Sequence, residues 1–249
     1  MKIAVCISNV PDTTTRIKTE ASGQKIDLSG VQWVLNPWDE LALTRAIELK
    51  EQNAGAISEI VAVMAAPSAG EATLRKALAV GADRAVRIDT DPGDSFEAAN
   101  ELAAYFASQP ADIIITGIES SDFNSSATGP MLSSLLGMRL IPGASGLFLE
   151  GEQVIVQQEL DGLSIRLKTA PPVVLVVQKG IAIVPKIPAM RGIMAARTKP
   201  LTVVPPKKPG ARAEVKSYEP LPPKAAARMI DAEDAGRLID LLHNEAKVI

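Results

Sequence analysis

Short apolar runs that alternate with helical segments constrain the fold of this 249-residue chain more than any other feature. The runs occupy residues 2–7, 59–65, 84–88 and 112–116. Continuous apolar strands separated by helices are typical of a parallel sheet that is covered on both faces. The pattern therefore predicts an α/β fold through about residue 140.

The segments between these runs repeat apolar residues at helical spacing. They cover residues 39–52, 69–83 and 94–108. After residue 140 the sequence pattern changes. Residues 146–178 contain short strand patterns joined by EGEQ and DGLS, which are typical of turns. We therefore predict an antiparallel set, ending with PPVVLVV, that finishes or extends the sheet.

The chain after residue 204 differs in composition from the rest. Residues 205–224 hold six prolines, which predicts an extended segment with little structure of its own. Residues 231–246 then show the apolar spacing of an amphipathic helix. Such a helix packs on a partner subunit or folds back on its own domain, and the sequence leaves both open. We divide the chain into an α/β domain, residues 1–204, and a C-terminal arm, residues 205–249.

Composition excludes several classes of function. A formal net charge of −3 provides no basic field for nucleic acid, and no apolar run reaches the roughly 18 residues of a membrane span. The one histidine, His243, and the one cysteine, Cys6, rule out a Cys/His zinc cluster and an internal disulfide within this sequence. We therefore predict neither a metal site nor a catalytic residue. The N-terminus shows no signal or transit pattern, so we expect a cytoplasmic, bacterial protein.

Four polar segments follow predicted strands or open predicted helices, where open α/β sheets bind ligands. They are SNVPDTTT, NPWDE, AAPSAGEA and GIESSDFNSSATGP. The last is a long loop before a helix that we expect to begin near Ala127, and small polar residues at a helix N-terminus suit a phosphate. A solvated loop with serine caps is the alternative. In NPWDE, Asn36 is a candidate N-cap and Pro37 suits the first helical position, so capping alone also explains that block.

The stretch IPAMRGIMAARTKPL, residues 187–201, fits neither a core strand nor a long helix. Its apolar residues are interrupted by Pro188, Arg191 and Gly192. Methionine and arginine on such a segment suggest a surface that meets a partner. The alternative is that Met190 and Met194 cover the core.

Five blocks of the sequence together resemble one known family. In order, they are CISNVPDTT, NPWDELALTRAIELKE, TLRKALAVGADRAVRI, DIIITGIESSDFNSSATGPMLSSLLG and IPAMRGIMAARTKPLTV. Their order and spacing resemble the beta subunit of an electron-transfer flavoprotein over nearly the full chain. The resemblance implies a Rossmann-like, adenine-nucleotide-binding α/β fold and a heterodimer with an alpha subunit.

The resemblance also implies cofactors. The alpha subunit of such proteins holds most of the redox FAD, and the beta subunit buries an AMP, or a second FAD in the bifurcating form. The Asp-Gly-Asp pattern of the bifurcating form is absent here, which favours AMP. The nucleotide contacts implied for this sequence are Cys6, Asn36, Pro37, Trp38, Asp39, Ala65, Asp122, Asn124, Ser125, Ser126, Ala127, Thr128 and Gly129.

Partners are implied in the same way. Residues 184–198 correspond to a recognition loop that anchors a dehydrogenase, with Met190 at the anchor position. The docking residues implied here are Met190, Arg191, Ile193 and Met194. The C-terminal arm would dock on the alpha subunit. Electrons would pass from flavin dehydrogenases, such as the acyl-CoA dehydrogenases of fatty acid oxidation, to a membrane electron-transfer flavoprotein-quinone oxidoreductase or another acceptor, so the chain would be an electron-carrier subunit rather than an enzyme.

Two other functions stay open. A nucleotide hydrolase on a similar fold needs a glycine-rich phosphate loop directly after the first strand, where SNVPDTT has no glycine. A stand-alone nucleotide-binding module without a redox role is the other alternative. The recognition block and the long arm argue against it.

Overall fold

Strands and helices alternate along most of the chain in the computed structural model, which describes residues 1–224 and 226–249. The strands are β1 (Lys2–Cys6), β2 (Asn9–Pro11), β3 (Lys18–Thr19), β4 (Ile26–Asp27), β5 (Trp33–Leu35), β6 (Glu59–Ala66), β7 (Arg84–Asp89), β8 (Ile113–Gly117), β9 (Arg139–Glu150), β10 (Gln153–Leu160), β11 (Leu163–Thr169), β12 (Val173–Val177) and β13 (Leu201–Val204). The helices are α1 (Pro37–Gln52), α2 (Glu71–Val80), α3 (Ser95–Ser108), α4 (Thr128–Leu136), α5 (Met190–Ala196) and α6 (Ala235–Asp240).

The main sheet contains nine strands in the order β11-β10-β9-β12-β8-β1-β6-β7-β13. All neighbours from β9 to β13 in that order pair in parallel, and β10 pairs antiparallel with both β9 and β11. Apolar residues of α1 and α2 bury one face of the sheet, and those of α3 and α4 bury the other. The predicted mostly parallel α/β fold with antiparallel additions is therefore confirmed.

The prediction that PPVVLVV belongs to the antiparallel set is wrong. β12 lies inside the sheet, parallel to both β8 and β9, and all five of its residues are buried. A strand with both faces covered reads as a continuous apolar run, which suits a parallel position. β9 makes this possible because its first half pairs with β12 and its second half pairs with β10. Gly143, at φ +63°, lies where the pairing changes.

Residues 9–35 form a short excursion between β1 and α1. β2 pairs antiparallel with β5, and the small hairpin of β3 and β4 extends beyond them. This excursion brings Trp33 and Leu28 to the carboxyl edge of the sheet, where the cavity described below lies.

The arm from residue 205 onwards holds one helical stretch among its described residues. α6 and a π-helical turn, Leu241–Glu245, together replace the longer helix predicted over residues 231–246. The helix begins later because Asp234 caps it, with the carboxylate accepting a hydrogen bond from Arg237 N. Leu238 and Ile239 are exposed, so this part of the helix does not pack on the described part of the chain, whereas Leu241 and Leu242 are half-buried.

Candidate functional site

A cavity of about 470 Å³ opens at the carboxyl ends of β1, β6 and β8. The end of β1, the turn after β6, the N-terminus of α3 and the loop between β8 and α4 form its walls. We call residues 118–127 the β8–α4 loop. The position agrees with the strand-end segments singled out in the sequence, and its size is in the range of small-molecule sites.

The structure brings together most of the predicted nucleotide contacts at this cavity. The predicted residues that line it are Cys6, Asp39, Ala65, Asp122, Ser125, Ser126, Ala127, Thr128 and Gly129. The predicted residues outside its lining are Asn36, Pro37, Trp38 and Asn124. The tryptophan at the cavity is Trp33, which comes from β5 and not from the helix start.

Asn36 takes the predicted N-cap position of α1, and Pro37 begins the helix as predicted. The Asn36 side chain, however, makes no capping hydrogen bond to the helix. The Asn36 Nδ2 instead donates to Glu119 O at 2.9 Å, and its Oδ1 accepts from Ser121 N at 3.2 Å. The amide is fully buried and fixes the β8–α4 loop against the start of α1. Sequence alone favours the local cap because it does not reveal this distant partner.

Asp39 joins two strand ends at the bottom of the cavity. Its Oδ2 accepts from Ser8 N at 2.8 Å, just past β1, and its Oδ1 accepts from Gly117 N at 3.0 Å, at the end of β8. A Cβ on Gly117 would lie 2.4 Å from that Oδ1, so glycine permits the approach. Burial raises the pKa of the Asp39 carboxyl to about 7, against the opposing effect of these hydrogen bonds.

The β8–α4 loop leads directly into the N-terminus of α4. Asn124 and Ser126 adopt left-handed backbone conformations, with φ of 47° and 51°. The Ser126 hydroxyl donates to Glu119 Oε2 at 2.9 Å, and Ser125 Oγ lies 2.7 Å from Ser95 Oγ at the start of α3. The N-cap residue, Ala127, offers no side-chain cap, so the first N–H groups of α4 are available to a ligand.

Cys6 contributes packing at the inner wall of this cavity. Its side chain is buried in the cluster that α3 and α4 make with the sheet. Burial raises the pKa of the Cys6 thiol far above its ordinary value, followed by the effect of the nearby Asp39 carboxyl. A thiol held in its neutral form is a weak nucleophile.

Sequence reasoning missed several residues that the fold brings to the cavity. Asp94 and Ser95 come from the N-terminus of α3, and Trp33 and Leu28 come from the excursion between β1 and α1. Residues 94–95 open the helix that follows the predicted strand at 84–88, so the rule that ligands bind at strand ends could have included them. Nothing in the local pattern of residues 28–33 indicated a cavity wall.

The predicted recognition loop folds in part as a short helix. α5 presents Met190, Arg191, Ile193 and Met194 outwards, and Met190 is 75% exposed. The alternative that Met190 and Met194 cover the core is therefore wrong. Gly192 faces α2 so closely that a Cβ there would lie 2.3 Å from Ala79 O.

Two basic side chains hold the α5 segment on α2. Arg75 Nη1 donates to Ala196 O and to Lys199 O, both at 2.8 Å. Lys199 Nζ donates to Leu78 O at 3.0 Å and to Ala82 O at 2.6 Å, at the C-terminus of α2. The backbone of α5 is thereby fixed while its apolar side chains stay exposed.

The first part of the arm is tied to the body at carboxylates of α3. The buried Glu101 accepts from Lys207 N at 2.7 Å and from Lys208 N at 2.6 Å. Asp94, at the cavity, accepts from Arg212 N at 2.6 Å and Ala213 N at 2.8 Å.

Residues 1–224 and 226–249 contain neither a membrane-spanning helix nor a cluster of metal ligands. No helix there is long and apolar enough to cross a membrane. No group of three or more His, Cys, Asp or Glu side chains there is arranged to hold a metal ion.

Comparison with known proteins gives consistent matches. A family model described as "Electron transfer flavoprotein domain" matches residues 25–209. The chain is 33% identical over 263 residues to "Electron transfer flavoprotein subunit beta" of Bacillus subtilis, covering 100% of both chains. It is 32% identical over 257 residues to a mitochondrial subunit beta of Oryza sativa, again covering 100% of both. The subunit beta of Homo sapiens is 27% identical over 211 residues, covering 83% of this chain and 82% of the human one.

The family model covers residues 25–209, and the matches to the Bacillus and Oryza relatives cover the whole chain. The family name describes a flavoprotein that transfers electrons, and a beta subunit implies an alpha subunit. The resemblance noted in the sequence blocks is thus confirmed by independent comparison. The chain belongs to the electron transfer flavoprotein family and, within it, to the beta subunits.

Proposed function

We propose that this chain binds AMP in the strand-end cavity and serves as the docking subunit of a heterodimeric electron carrier. The observation that carries the nucleotide proposal is the uncapped N-terminus of α4 at the cavity. Backbone N–H groups and the helix dipole favour a phosphate at such a position. Ser125 and Thr128 add hydroxyls at the same end of the cavity.

The rest of the cavity suits an adenine nucleoside. Ile7, Val63 and Ala65 give apolar surface at the strand ends, and polar groups lie at the opposite loop. Ligand sites typically combine an apolar wall with a few polar groups that fix orientation. AMP supplies no redox chemistry, so we propose that the redox FAD is held mainly by the alpha subunit.

A second FAD in the same cavity is the alternative. It corresponds to the bifurcating form of the family. The β8–α4 loop, with Asp122, Phe123 and Asn124, lacks the Asp-Gly-Asp pattern of that form. This difference supports AMP as the proposed ligand.

We propose that the exposed apolar face of α5 docks flavin dehydrogenases. Met190 and Met194 are 75% and 55% exposed, and both lie beside Ile193. Methionine is flexible and polarizable, which suits a surface that meets several partners. Acyl-CoA dehydrogenases are the proposed donors, in fatty acid oxidation, and a membrane quinone oxidoreductase is the proposed acceptor. Bacterial relatives support a bacterial cytoplasmic location as part of the proposal.

The C-terminal arm is the proposed clasp on the alpha subunit. Its helix exposes Leu238 and Ile239, which need a partner surface to be buried. Deletion of residues 207–249 is expected to reduce heterodimer stability. A truncated chain that still co-purifies with alpha in equal amounts contradicts the clasp.

Co-expression with the alpha subunit, denaturation and chromatography of the released nucleotides test the cofactor proposal. One FAD and one AMP per heterodimer are the expected result. Two FAD and no AMP would establish the bifurcating alternative. The chain could instead purify alone, folded and with bound nucleotide, and fail to associate with an alpha subunit. That result would favour a stand-alone nucleotide-binding module.

A further inference from the structure

Thr116 has a buried hydroxyl without a hydrogen-bond partner. Its Oγ1 is the buried side-chain polar atom for which the described residues provide no donor or acceptor, and the residue is only 4% exposed. Buried polar groups in folded proteins are nearly always paired, so an unpaired one calls for a partner from outside the chain. Thr116 is the fourth residue of β8, which otherwise starts with three isoleucines.

The hydroxyl lies beside the first turn of α4. A Cβ on Gly129 would be 2.5 Å from Thr116 Oγ1 and 2.6 Å from Val176 Cγ2, so α4 begins directly over the strand end. Thr116 and Gly129 both line the cavity. The unpaired hydroxyl and the uncapped N–H groups of this nine-residue helix therefore meet at one end of the cavity.

Packing alone does not explain a threonine at this position. Valine has nearly the same shape, and it would fill the space between Gly129 and Val176 without burying an unpaired hydroxyl. Threonine χ1 has few staggered positions, and rotation between them exchanges the methyl group with the hydroxyl. Oγ1 lies beside the first turn of α4, at a residue that lines the cavity.

We propose that Thr116 Oγ1 donates a hydrogen bond to a phosphate oxygen of the nucleotide at the α4 N-terminus. Thr116 thereby selects a phosphorylated ligand over the corresponding nucleoside. The inference rests on the proposed nucleotide site, because it assigns a further contact within it. The ligand oxygen gives the buried hydroxyl the partner that this chain does not supply.

The test compares Thr116→Val with Thr116→Ser in the heterodimer with the alpha subunit, after exchange of its nucleotide. Isothermal titration with AMP and with adenosine is the measurement. We expect Thr116→Val to lose about tenfold in AMP affinity and nothing in adenosine affinity, because one hydrogen bond to a charged group is lost. Thr116→Ser keeps the hydroxyl and is expected to retain AMP affinity within about twofold.

Thermal unfolding without nucleotide gives an independent readout. Thr116→Val is expected to be as stable as the wild type or more stable, since it removes an unpaired buried hydroxyl. A merely structural threonine would instead lose stability and AMP affinity together. If Thr116→Val does not fold, Thr116→Ala serves as the second hydroxyl-free variant.

The outcomes separate this inference from the proposed function. If the wild-type complex and Thr116→Val bind AMP equally well, the Thr116 assignment is wrong and the proposed AMP site still holds. Equal losses for AMP and adenosine overturn the assignment too. Wild-type complex that binds no AMP overturns both proposals.

Discussion

A methyl group at position 192 would collide with the backbone of α2. The Cβ of Gly192→Ala would lie 2.3 Å from Ala79 O and 3.4 Å from Ala79 C. Ordinary van der Waals contact begins at 3.4 Å, so α5 must move away by about 1 Å. The obstacle is backbone inside a helix, which does not yield as the end of a flexible side chain does.

The expected cost follows from two opposing effects. Overpacking of this kind costs about 1–3 kcal/mol. Alanine is better than glycine in a helix by about 0.5–1 kcal/mol, which offsets part of that cost. The free energy of unfolding should therefore fall by about 1–2 kcal/mol, and the Tm by about 3–6 °C for a domain of this size.

The loss of contact between α5 and α2 can also be measured directly, by limited proteolysis. Arg191 and Arg197 flank the collision, and both are exposed. Limited trypsin digestion should cut Gly192→Ala faster at these positions, because the segment loses its close contact with α2. Binding of a dehydrogenase should weaken as well, since α5 no longer presents its apolar face from a fixed position.

Gly236→Ala is the matched control. Gly236 lies in α6, and a Cβ there meets nothing within 4 Å. The same substitution should leave the Tm of the α/β domain unchanged and make α6 slightly more helical. If Gly192→Ala is as stable and as resistant to trypsin as Gly236→Ala, the close α5–α2 contact does not hold the docking segment.

Three further predictions concern the cavity, the docking face and the arm. The Asp39 carboxyl has a pKa of about 7 in the folded protein and an ordinary value of 3.8, so between these values the folded protein holds a proton that the unfolded chain has released. Stability therefore falls as the pH rises towards 7, and urea unfolding from pH 5 to pH 8 should show the wild type losing about 3 kcal/mol relative to Asp39→Asn, nearly all of it below pH 7. Met190→Asp should leave the free energy of unfolding within about 0.5 kcal/mol, because the side chain is exposed, but weaken dehydrogenase docking; unchanged reduction kinetics at limiting carrier concentration would count against the anchor. Glu101→Gln replaces one of the two oxygens that accept from Lys207 N and Lys208 N, so the arm should loosen there and trypsin should cut faster after Lys207; equal cleavage rates would refute the tether.

Strands and helices that leave a pattern in neighbouring residues could be predicted from the sequence. β1, β6 and β8 are buried on both faces, so their residues form continuous apolar runs. α4 begins at Thr128, beside the expected start near Ala127, and Pro130 is tolerated in its first turn because the N–H groups there have no partner within the helix. Most of the candidate site lies at the ends of these elements, which is why strand-end reasoning located the cavity.

Features that depend on distant partners could not be predicted in the same way. The place of β12 between β8 and β9 is one such feature: its continuous apolar run is compatible with a parallel strand, but nothing in it shows which strands it pairs with. Trp33 reaches the cavity through the pairing of β2 with β5, a tertiary contact that leaves no periodic signal. The orphan hydroxyl of Thr116 becomes visible only when its surroundings are known.

The NPWDE block illustrates how a motif acts on a site without touching all of it. Asn36 holds the backbone of Glu119 and Ser121, while Asp39 holds Ser8 and Gly117. The side-chain oxygens of Asp39 and the side-chain amide of Asn36 already form hydrogen bonds to the loops that line the cavity. Few of their atoms are therefore free to bond a ligand directly. The start of α1 therefore sets the spacing between the β1 and β8 strand ends, and with it the positions of the backbone groups and hydroxyls available to the proposed nucleotide.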